Sequence, residues 1–492
     1  MIEAWTVQQV RDAESELMAD LPEGELMQRA AAGLADVVRR RARSREARSL
    51  IALVGGGNNG GDALYAAAQL AKRLRVSVVT VTETPHQGGA AAARAAGVPV
   101  HRIEGDSDTL PEHVRTLLDE ADLVLDGLLG IGGRAGLRAA MAALAEAVPS
   151  TAYVIAVDLP SGADPAGLEG LGAAVFADET VTFGVPKPVH LLPATLPAVG
   201  RLSMVDIGLR MSGVPAVQRL EPRDVAGLWP VPGPGGDKYS RGVVGVVAGG
   251  DAYPGAAVLC TGAAAQAGVG MVRYVGPPVA SEYVLHAAPE VVPGSGRVQA
   301  WVLGPGVDAG DDSEGGQAQV RAIRAALESP QPCVVDAGAL ELIQGRRRGP
   351  TLLTPHAGEL ARLLSRLDPG QPVDRAAVVA DPVGTARRAT ALTGGTLLLK
   401  GSTTVVVEPD ADAPVRVQAD APFWLATAGA GDVLAGLAGT LLAAGLEPGT
   451  AGSLAALVHG AAAHRANPGG PVRATAVSHA IPGTVAHLLT VC

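Results

Sequence analysis

The sequence predicts two α/β domains, each a largely parallel sheet covered by helices, and three observations predict it. Runs that read as buried strands alternate with helical runs through all 492 residues, a length beyond what one core usually serves. Glycine-rich turns recur where a strand gives way to a helix. Aromatic residues make up only 3% of the chain, so the cores must be packed with small side chains, as in helix-covered parallel sheets.

Residues 7–42 read as helical, with LMQRAAAGLADVV at helical spacing after the start signal PEGE. SLIALVGGGNNGGDALYAAAQLAKRL then gives a buried strand, a glycine-rich turn and a helix, half of a Rossmann-like unit. The alternation continues through VSVVTV, GGAAAARAAG, ADLVLDGLLG, LRAAMAALAEAV, AYVIAVDLPSG and ETVTFGVPKP. Between about Met204 and Asp237 it breaks into a stretch rich in Pro and Gly. A boundary near residue 215 follows, giving domains 1–215 and 216–492. The second pattern starts at RGVVGVVAGG and passes through MVRYVG, VQAWVLGPG, QPCVVDAGAL, PTLLTPH, GTLLLKG and TTVVVEP. It ends in APFWLATAGAGDVLAGLAGTLLAAGL, where a buried helix is expected to begin near Val433.

A net charge of −10 argues against nucleic acid or an anionic membrane as partner and favours small molecules. Cys260, Cys333 and Cys492 form no metal-ligand or CxxC spacing, which fits a reducing compartment. The N-terminus carries acids and lacks an apolar signal core, and the longest apolar run, Val433 to Leu446, spans 14 residues, too few to cross a bilayer. A cytoplasmic protein is expected. Only Lys72, Lys187, Lys238 and Lys400 are lysines, and the last three lie in glycine- or proline-rich motifs, where a compact ammonium is evidently needed.

Five stretches carry chemistry. In TAGAGD, Gly429 and Gly431 let backbone amides crowd a ligand beneath a helix N-terminus, an anion hole with Asp432 at its rim to take a proton from a hydroxyl. The plain alternative is an N-cap beside a loop. NNGGD at 58–62 follows a strand and opens a helix. It is neither a P-loop nor GxGxxG, and it suits a polar uncharged group or a hard cation, or else a tight turn. DGLLGIGGRAGL and DLPSG end two further strands. Asn59, Asp126 and Ser161 together offer oxygen ligands for a monovalent cation, with Asp158 left as an acid or base. In the hairpin LLLKGSTTVVVEP, the turn brings Lys400, Gly401 and the hydroxyls of Ser402, Thr403 and Thr404 together, a combination suited to a nucleotide phosphate. His356 sits just before a helix, where it is positioned to touch a ligand.

NNGGD, the loop at 126–137, DLPSG and TFGVPKP closely resemble the NAD(P)H-hydrate epimerase domain over nearly all of residues 1–210. The resemblance implies K+ near Asn59, Asp126 and Ser161. It also implies a nicotinamide nucleotide hydrate held by Asn58, Asn59, Gly60, Gly61 and Asp62, by Gly130, Ile131, Gly132, Gly133, Arg134, Ala135 and Gly136, and by Asp158. The order YPGAA, LGPG, TPHAGE, KGSTT, ATAGAGDVLAG over about 235–488 resembles ADP-dependent NAD(P)H-hydrate dehydratase within the ribokinase-like superfamily. That implies Asp432 as base, with Ala256, Gly306 and His356 also on the hydrate. It implies Lys400, Gly401, Ser402, Thr403, Thr404 and Gly431 on the nucleotide, with ADP and Mg2+ as cofactors.

The implied substrates are small molecules, NADHX, NADPHX and ADP, with no nucleic acid or membrane partner and a homo-oligomeric assembly. Three departures stand out: Ala63 where the family has glycine, Gly338 where it has the second aspartate of DADAL, and Phe423 and Trp424 before the catalytic turn. A small-molecule kinase, or a nucleotide-binding regulator without turnover, would be built from many of the same parts.

Overall fold

The computed structural model describes residues 1–491, and the chain forms two compact units. One is Glu3–Val217. The other is Met1–Ile2 together with Gln218 onward.

The sheet of the first unit is wholly parallel, with seven strands in the spatial order Val100–Arg102, Arg75–Thr80, Ser49–Val54, Leu123–Gly127, Tyr153–Val157, Glu179–Phe183, Arg201–Val205. Every residue of Ser49–Val54 is buried, because the strand is covered on both faces. Leu50, Ala52 and Val54 join a core with the helices Glu25–Ser44 and Asn58–Leu70. Ile51 and Leu53 point the other way, onto Val114, Leu118 and Leu144. The chain leaves this strand toward Arg75–Thr80 and later returns on its other side at Leu123–Gly127. The loops after Ser49–Val54 and Leu123–Gly127 therefore flank the point where strand order reverses, the natural ligand crevice of such a sheet.

The helical stretch read over 7–42 forms two helices, Val7–Ala19 and Glu25–Ser44, the second starting within PEGE. Thr6 caps the first with a capping box, and Gly24, with φ of 79°, turns the chain into the second.

In the second unit, parallel strands lie in the order Thr396–Leu399, Thr351–Leu353, Cys333–Val335, Ala300–Leu303, Val243–Val247, Met271–Val275. Beyond Thr396–Leu399 the sheet turns antiparallel through Thr404–Val407 and Val415–Gln418, so the hairpin read from the sequence is present.

The helix Ala430–Ala443 is buried almost throughout. Gly436 lies against the Cys260 backbone of the helix Pro254–Gln266, and Gly439 against Val302 of the sheet, so side chains at these two positions would force both partners away. This helix starts at Ala430, three residues before the predicted Val433, because Gly429 takes φ of 86° as its N-cap. Asp432 consequently stands inside the first turn. Among the described residues, no helix is long and apolar enough to cross a membrane, and Cys260 and Cys333 are free and buried.

Candidate active sites

In the first unit the helix Asn58–Leu70 begins with the NNGGD residues themselves. Asn58 is exposed, while Asn59, Gly60, Gly61 and Asp62 are buried. Asn59 Nδ2 donates to the carbonyls of Val157 and Leu129, the latter at 3.1 Å. Asp126, fully buried at the end of its strand, accepts from Ser161 Oγ at 2.6 Å and from the Ser161 amide at 2.8 Å. Ser161 Oγ in turn accepts from the Leu129 amide at 2.9 Å. Asn59, Asp126 and Ser161 thus meet around Leu129.

Burial pushes the Asp126 carboxyl up to about 6, against the pull of its Ser161 and Leu128 hydrogen bonds. The donors gathered here are an amide oxygen, a carboxylate, a hydroxyl and backbone carbonyls, a set that fits a hard, weakly charged cation. In the loop that follows, Gly130 packs its Cα directly against the Asn59 amide. Ile131, Gly133, Ala135 and Gly136 are half-buried, Gly132 and Arg134 exposed, and the Gly136 amide closes the loop onto the Gly162 carbonyl at 2.9 Å.

Asp158 is not the free carboxylate the sequence suggested. Its backbone is left-handed, with φ of 64°, a conformation that costs a non-glycine residue of order 1–3 kcal/mol. Oδ1 accepts from Lys187 Nζ at 2.6 Å and Thr182 Oγ1 at 3.0 Å. The Lys187 amide donates to His190 Nδ1 at 2.9 Å, so His190 carries its proton on Nε2, which donates to the Asp158 carbonyl at 2.7 Å. Burial, with Lys187 adding to it, holds the His190 pKa down at about 4, so the ring is neutral. Burial alone would raise the Asp158 carboxyl, but Lys187, His190 and Thr182 outweigh it and hold it below its ordinary range.

Asp62 is the counterpart. Its Oδ1 has no hydrogen-bond partner, and burial, then the charges of Asp158 and Glu14, drives its pKa well above the ordinary range. The two carboxyls are pushed in opposite directions, Asp158 below its ordinary range and Asp62 well above it, which separates a base from an acid.

In the second unit the strands Cys333–Val335, Thr351–Leu353 and Thr396–Leu399 are adjacent and parallel, so the residues that follow them converge. Asp336, His356 and Lys400 line one cleft of about 650 Å3 together with Gly401, Ser402, Thr404, Gly431 and Asp432. Thr403 is buried and lies off this wall. Ala256 and Gly306 also lie off it, packed against each other.

Lys400 Nζ bonds Asp336 Oδ1 at 2.7 Å and stands 3.7 Å from Glu359 Oε2. Burial would disfavour the ammonium, but these two carboxylates outweigh it and raise its pKa. The pair lies against the first turn of Ala430–Ala443: a Cβ built on Gly431 would be 3.5 Å from Lys400 Nζ and 4.0 Å from Asp336 Oδ2. The amides of Gly431 and Asp432, in that turn, have no intrahelical acceptor. Burial first, then Asp336, raises the Asp432 carboxyl to about 7, with Lys400 pulling it back.

His356 also caps the helix Ala357–Leu367. Its Nδ1 accepts from the Gly358 and Glu359 amides at 3.0 and 3.2 Å, while Glu359 accepts from the His356 amide at 2.8 Å. Phe423 lines the cleft and is 88% exposed; Trp424 does not line it.

Gly338 stands in the short 3-10 helix Ala337–Leu342, where a Cβ would collide with the Val307 carbonyl oxygen. This backbone excludes an aspartate there, while Asp336, two residues earlier, supplies the carboxylate paired with Lys400. Asp336, Lys187 and Thr182 were not among the predicted site residues. Lys187 left a trace through the scarcity of lysine, Thr182 lies with it in TFGVPKP, and Asp336 opens the DAGAL stretch, but the sequence named no partner for any of them.

A parallel doubly wound unit with the buried carboxyls Asp62 and Asp158 at its strand ends, followed by a second α/β unit with a Lys–Asp pair beneath a GAGD helix start, defines a two-domain α/β enzyme. Residues 23–189 match the family model described as YjeF-related protein N-terminus, and residues 244–482 the model described as NAD(P)H-hydrate dehydratase. The chain is 43% identical to the bifunctional NAD(P)H-hydrate repair enzyme of Mycobacterium tuberculosis over 91% of its length and 90% of the relative's. Against the enzyme of the same name from Mycobacterium leprae the identity is 42%, covering 97% of this chain and 94% of the relative. The crystal structure of the ADP/ATP-dependent NAD(P)H-hydrate dehydratase of Bacillus subtilis overlays with a TM-score of 0.49 at 24% identity, covering 55% of this chain and 99% of that one. The chain belongs to the family of bifunctional NAD(P)H-hydrate repair enzymes.

Proposed function

We propose that this enzyme repairs hydrated nicotinamide nucleotides in the cytoplasm: the Glu3–Val217 unit interconverts the R and S epimers of NADHX and NADPHX, and the second unit dehydrates the S epimer at the expense of ADP, releasing AMP and phosphate. The observation that carries this reading is the meeting, in one cleft, of a carboxyl with a pKa of about 7, a lysine and free helix-start amides.

Asp432 takes the proton from the hydrate's hydroxyl as that oxygen bonds to the terminal phosphoryl group, a step best served by a base whose pKa lies near the working pH. Lys400, the hydroxyls of Ser402 and Thr404 and the Gly431 and Asp432 amides hold the phosphoryl oxygens as charge gathers on them. The ring C–O bond then breaks with orthophosphate as the leaving group, the adjacent ring carbon gives up a proton, and the dihydronicotinamide ring is restored. No group of three or more His, Cys, Asp or Glu among the described residues is arranged to hold a metal alone, which suits Mg2+ arriving with the phosphates.

In the first unit Asp158, held below the ordinary carboxylate range, is the base for epimerisation and Asp62, pushed well above it, the acid, with the hydrate against residues 58–62 and 130–136. Asn59, Asp126 and Ser161 would hold K+, which orients an anionic or hydroxyl group of the substrate.

Asp432→Asn and Asp158→Asn test the division of labour. Asp432→Asn should abolish dehydration while R and S still interconvert. Asp158→Asn should leave dehydration of pure S hydrate intact and stop recovery of R. Loss of both activities in either variant would sink the assignment.

A further inference from the structure

Gln418 and His459 are polar side chains that are 4% and 6% exposed, yet both line the cleft. Neither amide atom of Gln418 finds a hydrogen-bond partner within the protein, and neither does His459 Nε2. Beside them Asp420 spends Oδ1 on Arg219, at 2.7 Å, while its buried Oδ2 is likewise unpartnered. A buried polar group left unpaired costs about 1–3 kcal/mol, so four such atoms on one wall mark a surface shaped for a ligand that supplies their partners.

Their position says which part of a ligand. Gln418 is the cross-strand neighbour of Thr404, the last residue of the KGSTT turn, and so stands beside the phosphate-holding end of the cleft without belonging to it. Helix Pro448–Ala466, which carries His459, approaches the same segment where Gly460 meets Ala421. Apolar Ala421, Pro422, Leu425 and Ala456 separate the polar groups, and the exposed ring of Phe423 stands at the rim. Apolar walls with a few directed polar atoms suit a planar heterocycle.

We propose that Gln418, with His459 and Asp420 beside it, reads the nucleoside of the phosphate donor and selects adenine over guanine. This rests on the cleft being the nucleotide site argued above. A glutamine amide offers one donor and one acceptor side by side. Adenine answers with its N6 amino group and N7, whereas the same edge of guanine, O6 and N7, carries two acceptors and leaves the amide oxygen unpaired. His459, neutral because burial lowers its pKa to about 4, adds one ring donor or acceptor. Asp420 Oδ2 accepts from a ribose hydroxyl.

The test is calorimetric titration of the full chain with ADP, GDP and inorganic pyrophosphate, each with Mg2+. The wild type should prefer ADP to GDP by on the order of 10–100-fold. Gln418→Leu should lose that preference and keep its pyrophosphate affinity. Its thermal midpoint without ligand should be unchanged or higher, since a partnerless buried amide has been replaced by an apolar group of similar size. Gln418→Glu, with two acceptors, should weaken ADP without gaining GDP, whose O6 and N7 are acceptors as well, and serves in place of the leucine variant should that one not fold. Undiminished ADP preference in Gln418→Leu overturns base reading by Gln418 and leaves the nucleotide site standing. A wild type that binds neither ADP nor pyrophosphate overturns both.

Discussion

Replacing Asp336 by asparagine should move the acid limb of dehydratase activity to lower pH. As the proposed base Asp432 must be ionised, and its carboxyl is raised from 3.8 to about 7. At 1.36 kcal/mol per pH unit, that rise penalises the ionised form by roughly 4 kcal/mol. Burial is the larger cause and the Asp336 charge the second, so an uncharged isostere at 336 removes only the smaller part. Lys400, released from its 2.7 Å bond to Asp336, then favours the Asp432 anion further, so both effects have the same sign.

A downward shift of about one pH unit is expected, with the limb still above the ordinary carboxylate range because burial persists. The assay is kcat/KM for S hydrate across pH at saturating nucleotide, where the position of the limb is read independently of any loss in amplitude. A limb that stays in place or moves upward would refute the electrostatic reasoning.

Asp432→Asn should be more stable than the wild type at alkaline pH. With its folded pKa raised, the carboxyl costs stability as pH rises from about 4 and most above about 7, so the variant's advantage in urea unfolding should grow through that window to a few kcal/mol. Lys187→Met leaves the buried Asp158 without its cation and should destabilise the first unit by about 3–5 kcal/mol with loss of epimerisation, read from denaturant unfolding and epimer exchange. Gly338→Asp, which restores the family's usual residue, should lower stability by about 1–3 kcal/mol without raising turnover, because its Cβ meets the Val307 carbonyl.

The parts of the fold that declare themselves locally were legible in the sequence. A strand–glycine–helix transition such as SLIALVGGGNNGGD and a glycine-turned hairpin such as LLLKGSTTVVV follow from residue type alone, and they set the sheets and most strand ends. Helix starts were less legible: the left-handed Gly429 opens its helix at Ala430, and the pattern of apolar residues, which begins in earnest at Val433, conceals the first turn.

Partnerships across the chain were the hardest to read. Asp336 and Lys400 are 64 residues apart and Asp158 and Lys187 are 29 apart, and these pairings arise only when the sheets form. Lysine scarcity flagged both cations yet named neither partner. Gln418 and His459 belong to no motif at all, and their meaning lies in being buried without a partner.

The most direct test of the repair activity is recovery of dihydronicotinamide absorbance when the wild-type chain meets a mixed R and S preparation of NADPHX with Mg2+ and ADP. Full recovery of both epimers, with one orthophosphate released for each ring restored, is the expected result. Accumulation of a phosphorylated hydrate without recovery, or recovery of the S fraction alone, would contradict it.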